Sequence, residues 1–148
     1  MSTYRQLLVA VDLSEDSRAI AIKSAGLARL WGARMRLLHV IEFVPVEPMS
    51  DALVPVVQID DQLIARSRAQ LAELGAELGL AAEDCQVSSG NVKSEILRQA
   101  RALGADLIVL GCRERHGLSI LVNLTEDTVL HGAPCDLLAM RVRKEPKP

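Results

Sequence analysis

The sequence predicts an α/β fold, a doubly wound parallel sheet of five strands with helices on both faces. Three observations carry this. Short aliphatic, β-forming runs recur five times along the chain. The segments between most of them carry apolar residues three and four apart, the period of a helix with one inward face. Glycines stand where these helical segments must stop, at Gly32, Gly104 and Gly132. Alternating strand and helix joined by right-handed crossovers gives this architecture.

The first strand is Gln6 to Asp12, apolar on both faces as a central parallel strand requires. Ser14 caps the helix that follows, which runs to Trp31 with Ile20, Ser24, Leu27, Ala28 and Trp31 inward. Gly32 ends it. Arg34 to Ile41 is the second strand. The stretch from Glu42 to Gln58 contains Pro45, Pro48 and Pro55, which exclude a regular helix or a central strand. A connection this long is a lid, an oligomer contact or a plain surface loop. Ile59 to Leu78 is the second helix, with Leu63, Ser67, Leu71, Leu74 and Leu78 on one face, and Asp60 and Asp61 suit its first turn.

Cys85 to Ser88 is a short edge strand. Asn91 caps the third helix, whose inward positions are Ile96, Ala100 and Leu103, and Gly104 stops it. Leu107 to Leu110 is the fourth strand, ended by Gly111. Thr125 to His131 is the last helix, closed by Gly132 and Pro134, and Leu137 to Val142 is the last strand. Residues 1–148 are expected to form a single domain, with residues 143–148 frayed.

Composition excludes several function classes. Aromatics are 2% of the 148 residues, so base-stacking platforms are lacking, and the net charge of -2 comes without a dense basic run. Nucleic acid is therefore not an expected partner. No segment reaches the roughly 20 apolar residues that span a bilayer, and the N-terminus has no signal-peptide pattern, so membrane is excluded and a cytoplasmic location is expected. Cys85, Cys112 and Cys135 form no C-x-x-C pair, which suits a reducing compartment.

Ligands of open parallel sheets sit beyond the carboxyl ends of the strands, where strand order reverses. If the first and fourth strands are neighbours, Asp12, Leu110, Gly111 and Arg113 line one crevice, with Val40 nearby at the end of the second strand. That suits a mononucleotide, with Asp12 near base or ribose, Val40 against the base and the Gly111 loop around phosphates. Asp12 reads equally as a helix-capping carboxylate, since Leu13-Ser14-Glu15 follows. His39, His116 and His131 lack metal-ligand spacing, so no metal is expected. Ser14 lacks a nucleophile motif and a placed base, and no catalytic residue is assigned. Cys112, beside Arg113, is a weakly activated thiol at most, and Cys135 reads as a small core residue.

L-L-V-A-V-D-L-S near the N-terminus, L-L-H-V-I in the second strand, D-L-I-V-L-G before the loop and V-L-H-G-A-P-C-D-L-L-A-M near the end resemble the universal stress protein family. The resemblance runs from Tyr4 to Val142. It implies strand order 3-2-1-4-5 in a Rossmann-like sheet of the adenine nucleotide alpha hydrolase type. It also implies a cytoplasmic homodimer joined through the last strand, Asp136 to Arg143, and a role in stress survival without catalysis.

One class of the family binds ATP through a loop of the form G-x-x-G-x9-G-S/T; the class resembling universal stress protein A lacks it. Gly111 corresponds to the first glycine, and Glu114 stands where the second belongs. Counting onward gives Leu124-Thr125, and anchoring on V-L-H-G-A-P-C gives Asn123-Leu124; either register loses the third glycine. The pocket implied is vestigial. It comprises Ala10, Val11 and Asp12 after the first strand, Val40 on the second, and Leu110, Gly111, Arg113, Asn123 and Thr125 around the loop. Glu114 adds a carboxylate facing a polyphosphate, and two like charges about 4 Å apart repel by several kcal/mol at an effective dielectric near about 20. Arg113 and Arg115 offset part of this. The expectation is no bound cofactor, with ATP-Mg as the alternative.

Overall fold

The computed structural model describes residues 4–42, 61–113 and 131–142. Five strands form one parallel sheet: β1 (Gln6–Ala10), β2 (Arg34–Glu42), β3 (Cys85–Gly90), β4 (Leu107–Arg113) and β5 (Asp136–Val142). Their spatial order is β3-β2-β1-β4-β5, as the resemblance implied. The helices are α1 (Glu15–Trp31), α2 (Asp61–Glu77) and α3 (Val92–Leu103), with a single 3-10 turn, Ala82–Asp84, leading into β3. His131 and Gly132 are also helical.

The pleat sorts the strand residues onto two faces. Leu7, Val9, Met35, Leu37, Leu107 and Val109 pack beneath α1 and α2, against Ile20, Ala21, Ala25, Ala28, Leu71 and Leu74. Leu8, Leu38, Val40, Ile108 and Leu110 face the other way and pack beneath α3, against Ile96 and Ala100. Val9, Leu37, Ile108 and Val109 are fully buried, as strands covered on both faces require.

The caps fall where the sequence places them. Ser14 Oγ accepts the Ser17 N–H at 3.2 Å and Asn91 accepts that of Ser94 at 3.1 Å. Gly32 and Gly104 close α1 and α3 in the left-handed conformation, with φ of 64° and 62°.

Several boundaries differ from expectation. β1 leaves the ladder at Ala10, two residues before Asp12, and β3 continues to Gly90. β5 begins at Asp136, one residue early. β4 does not end at Gly111; it runs through it to Arg113, because β5 stays paired with it as far as Arg113↔Val142. Leu63 is exposed, since the buried stretch of α2 begins only at Ser67. Leu27, Trp31, Leu78 and Leu103 are half-buried. Trp31 meets Tyr4, their ring centroids 5.1 Å apart. The connection from 43 to 60, the start of the last helix and the C-terminal tail lie outside the described residues.

A crevice where the first and fourth strands part

The strand order makes β1 and β4 neighbours, as the reading of the crevice required. Their pairing runs from Leu7↔Leu107 to Val9↔Val109. Beyond it β4 continues beside β5, while β1 follows β2 only to Ala10↔Leu38 before turning into α1. The sheet therefore divides between Ala10 and Leu110. This is the topological switch point, where a crevice opens at the carboxyl ends of the strands.

Asp12 stands exposed at the β1 side of this crevice. Its Oδ1 accepts the Ser14 N–H at 2.9 Å, the Ser14 hydroxyl, and the Ser17 hydroxyl at 2.6 Å. In return the Asp12 N–H donates to Ser17 Oγ at 2.9 Å. The carboxylate thus organises the head of α1 from a position at the crevice.

The turn that makes this possible is strained. Leu13 has φ of 64°, alone among the described non-glycine residues in being positive. A left-handed L-residue costs roughly 1–2 kcal/mol. Leu13 packs its side chain against the α1 core, which offsets part of that cost. The turn is also held from β2. The Nδ1–H of His39 donates to the Val11 carbonyl at 2.8 Å, which fixes the tautomer with the proton on Nδ1. Sequence reasoning placed His39 in a strand but missed this bond, because nothing local signals a partner 28 positions away.

The remaining predicted pocket residues fall into three groups. Val11, Val40 and Leu110 are 6%, 9% and 5% exposed, their side chains committed to the core. What they can offer a ligand is backbone and the edge of a side chain. Ala10 is half-buried and packs on the α3 side, and Gly111 is exposed on β4. A Cβ at Gly111 would overlap Cδ1, the far end of the Ile20 side chain, so a larger residue here has to displace that methyl. Arg113 is placed as the last residue of β4, and Glu114, Asn123 and Thr125 lie outside the described residues.

Other candidate groups come out as ordinary structure. Cys135 packs among the residues under α3, and burial pushes its thiol above the usual cysteine range, with Asp106 and Asp136 adding to the rise. Burial likewise raises Cys85, helped by Asp84. Among the described residues no cluster of His, Cys, Asp and Glu could hold a metal, and no helix is long and apolar enough to cross a membrane.

A doubly wound parallel sheet that divides between β1 and β4 defines a class of Rossmann-like α/β proteins, and comparison with known proteins narrows it. The family model described as "Universal stress protein family" matches residues 3–141, so this chain belongs to the universal stress protein family. It is 32% identical over 144 residues to universal stress protein A homolog 2 of Coxiella burnetii, covering 97% of this chain and 99% of that protein. Among solved structures it resembles the universal stress protein UspA of Lactobacillus plantarum, at 23% identity and a TM-score of 0.70, over 93% of this chain and 98% of that one. It also resembles a universal stress protein solved in complex with cAMP, at 15% identity and a TM-score of 0.65, over 95% and 98% of the two chains. At these identities the solved structures establish the fold.

Proposed function

We propose that this chain is a cytoplasmic, non-enzymatic stress-response protein that acts as a homodimer and whose nucleotide pocket is impaired. The observation that carries this is the employment of the two landmarks the pocket retains. Asp12 is bonded into the head of α1 through Ser14 and Ser17. Gly111 leaves room for the terminal methyl of Ile20. Each residue thus has a structural reason to persist without a ligand. The loop sequence points the same way, through the carboxylate of Glu114 and the loss of the third glycine at Asn123-Leu124. The dimer reading rests on β5, an edge strand whose Leu137, Leu138 and Met140 are only half-buried in this chain. An unpaired edge of this kind is a template for strand pairing. A monomer in light scattering at micromolar concentration rules the dimer out.

A second reading, a nucleotide-dependent regulator, is favoured by the crevice itself. The parting of β1 and β4 sets Asp12 and Gly111 on its two sides, and one structural neighbour was solved with cAMP. Titration calorimetry with ATP-Mg and with cAMP separates the readings. The impaired pocket predicts no binding at submillimolar concentration, and submillimolar affinity in the unaltered protein sinks it. The triple substitution Glu114→Gly, Asn123→Gly, Leu124→Ser restores the glycines and a hydroxyl. It is expected to gain ATP binding if erosion of the loop is the cause.

A further inference from the structure

At the opposite end of the strands a polar cleft lies between β2, the turn before β3, and α3. Arg34 and Arg36 share the face of β2 that also carries Leu38 and Val40, so their side chains enter the α3 layer. Asp84 sits against them, 8% exposed. Arg34 reaches it fully, with Nε at 3.0 Å and Nη2 at 2.7 Å from Oδ1. Arg36 does not. Its Nε stands 3.5 Å from the same oxygen, too far for a hydrogen bond, and is buried without a hydrogen-bond partner. A buried N–H left in this state is rare and destabilising.

Beside that nitrogen is a space of about 20 Å³, lined by Arg36, Asp84, Gln99, Leu8, Leu38 and Leu103. One water needs roughly 10–15 Å³ measured this way, together with two to four polar partners. Charge selects a neutral occupant. Arg34 and Arg36 are balanced by Glu83 and Asp84, both of which Arg34 pairs with, so the cleft has no surplus charge for an anion. We infer that this cleft is a binding site for a single ordered water. It accepts the Arg36 Nε–H and donates to the Asp84 carboxylate and the amide oxygen of Gln99. Gln99 is 4% exposed and holds Ser88 of β3 through its Nε2 at 3.4 Å. The water therefore joins β2, the entry to β3 and α3 in one polar layer.

The test is a high-resolution crystal structure of the unaltered protein with a parallel bromide soak, and NMR of the Arg36 Nε–H in solution. One density peak within hydrogen-bond distance of Nε, no bromide peak, and a nuclear Overhauser effect from that proton to a long-lived water are expected. An empty cleft overturns the inference, as does a direct, aligned Arg36–Asp84 bond. A bromide peak overturns the neutral occupant, and an Nε–H exchanging as fast as an exposed guanidinium overturns the site altogether. Arg36→Met keeps the stem and removes the donor. It is expected to lose the water peak and to speed hydrogen exchange of the β3 amides by roughly tenfold, a local loosening of the edge. Unchanged exchange together with a retained water in that variant shows that Arg36 does not hold it.

Discussion

The two ends of the sheet are built differently. At the amino ends of the strands, side chains tie together elements far apart in sequence. Asp106 accepts the backbone N–H groups of Arg5 and Gln6 at 2.8 and 2.9 Å, about a hundred positions away. The Tyr4 hydroxyl donates to Asp136 at 2.9 Å, linking the entry to β1 with the start of β5. Asp84 joins β2 across fifty positions. At the carboxyl ends, among the described residues, the bonds from Asp12 to Ser14 and Ser17 span two to five residues and organise the head of α1. His39 to Val11 is the longer tie there. Among the described residues the difference shows where distant segments are fastened together: the amino end ties β1, β2 and β5 to remote carboxylates, and the carboxyl end is where β1 and β4 part.

The comparison makes Asp106→Ala the most damaging of these changes. It leaves two N–H groups at the head of β1 without their carboxylate acceptor, and hydrogen bonds to a charged group contribute about 1.5–3 kcal/mol each. Urea unfolding should show a loss of about 3 kcal/mol, and a loss no greater than that of Asp12→Ala would erase the contrast between the ends. Asp12→Ala removes the carboxylate that holds the cap Ser14 and Ser17, and losing bonds at a helix head costs about 0.5–2 kcal/mol.

Gly111→Ala comes next. Ile20 is 4% exposed and cannot swing freely from the new methyl. Overpacking of this kind costs about 1–3 kcal/mol. Adding Ile20→Val, which deletes the atom that would be struck, should recover most of the loss. No recovery would mean that Gly111 serves something other than helix packing.

Leu13→Gly and Leu13→Ala both remove the packed side chain, but only glycine relieves the positive φ. The glycine variant should be the more stable of the two by about 1 kcal/mol in the same assay. Equal stabilities would argue that the turn stores no strain.

The smallest effect is electrostatic. Arg98 grips Glu95 with two bonds of 2.8 Å, which holds the Glu95 carboxyl below the usual range; burial opposes this, and Ser88 and Gln99 assist it. A depressed folded pKa gives stability that is present at neutral pH and lost as pH falls through that pKa. Arg98 is largely exposed, so solvent screening keeps the contribution small. Arg98→Ala should lower stability at pH 7, and the difference from the unaltered protein should shrink on acidification. A difference independent of pH would remove the ion pair as its cause.

Features that depend on neighbours in sequence were legible from it. Ser14, Gly32, Asn91 and Gly104 cap their helices as read, because a cap is settled within four residues. Aliphatic runs marked all five strands, since a strand covered on both faces has few polar residues to confuse the pattern. The pocket landmarks Asp12 and Gly111 were legible as positions, and their structural duties were not. Gly111 reads as the end of a strand until β5 is seen pairing past it, and its contact with the end of Ile20 appears only in the fold. Leu63 fits the helical stripe of α2, yet periodicity cannot say where along a helix burial begins.

The sequence by itself determined the elements, their caps, their alternation and, through its motifs, the family. Only the tertiary structure decided which carboxylates fasten the sheet, that His39 holds the turn before Asp12, and that Arg36 meets Asp84 without the hydrogen bond Arg34 makes to it. The physical reason is range. Propensity, capping and hydrophobic period act over a few residues, whereas a buried donor or a packed glycine answers to whichever distant segment the fold brings against it.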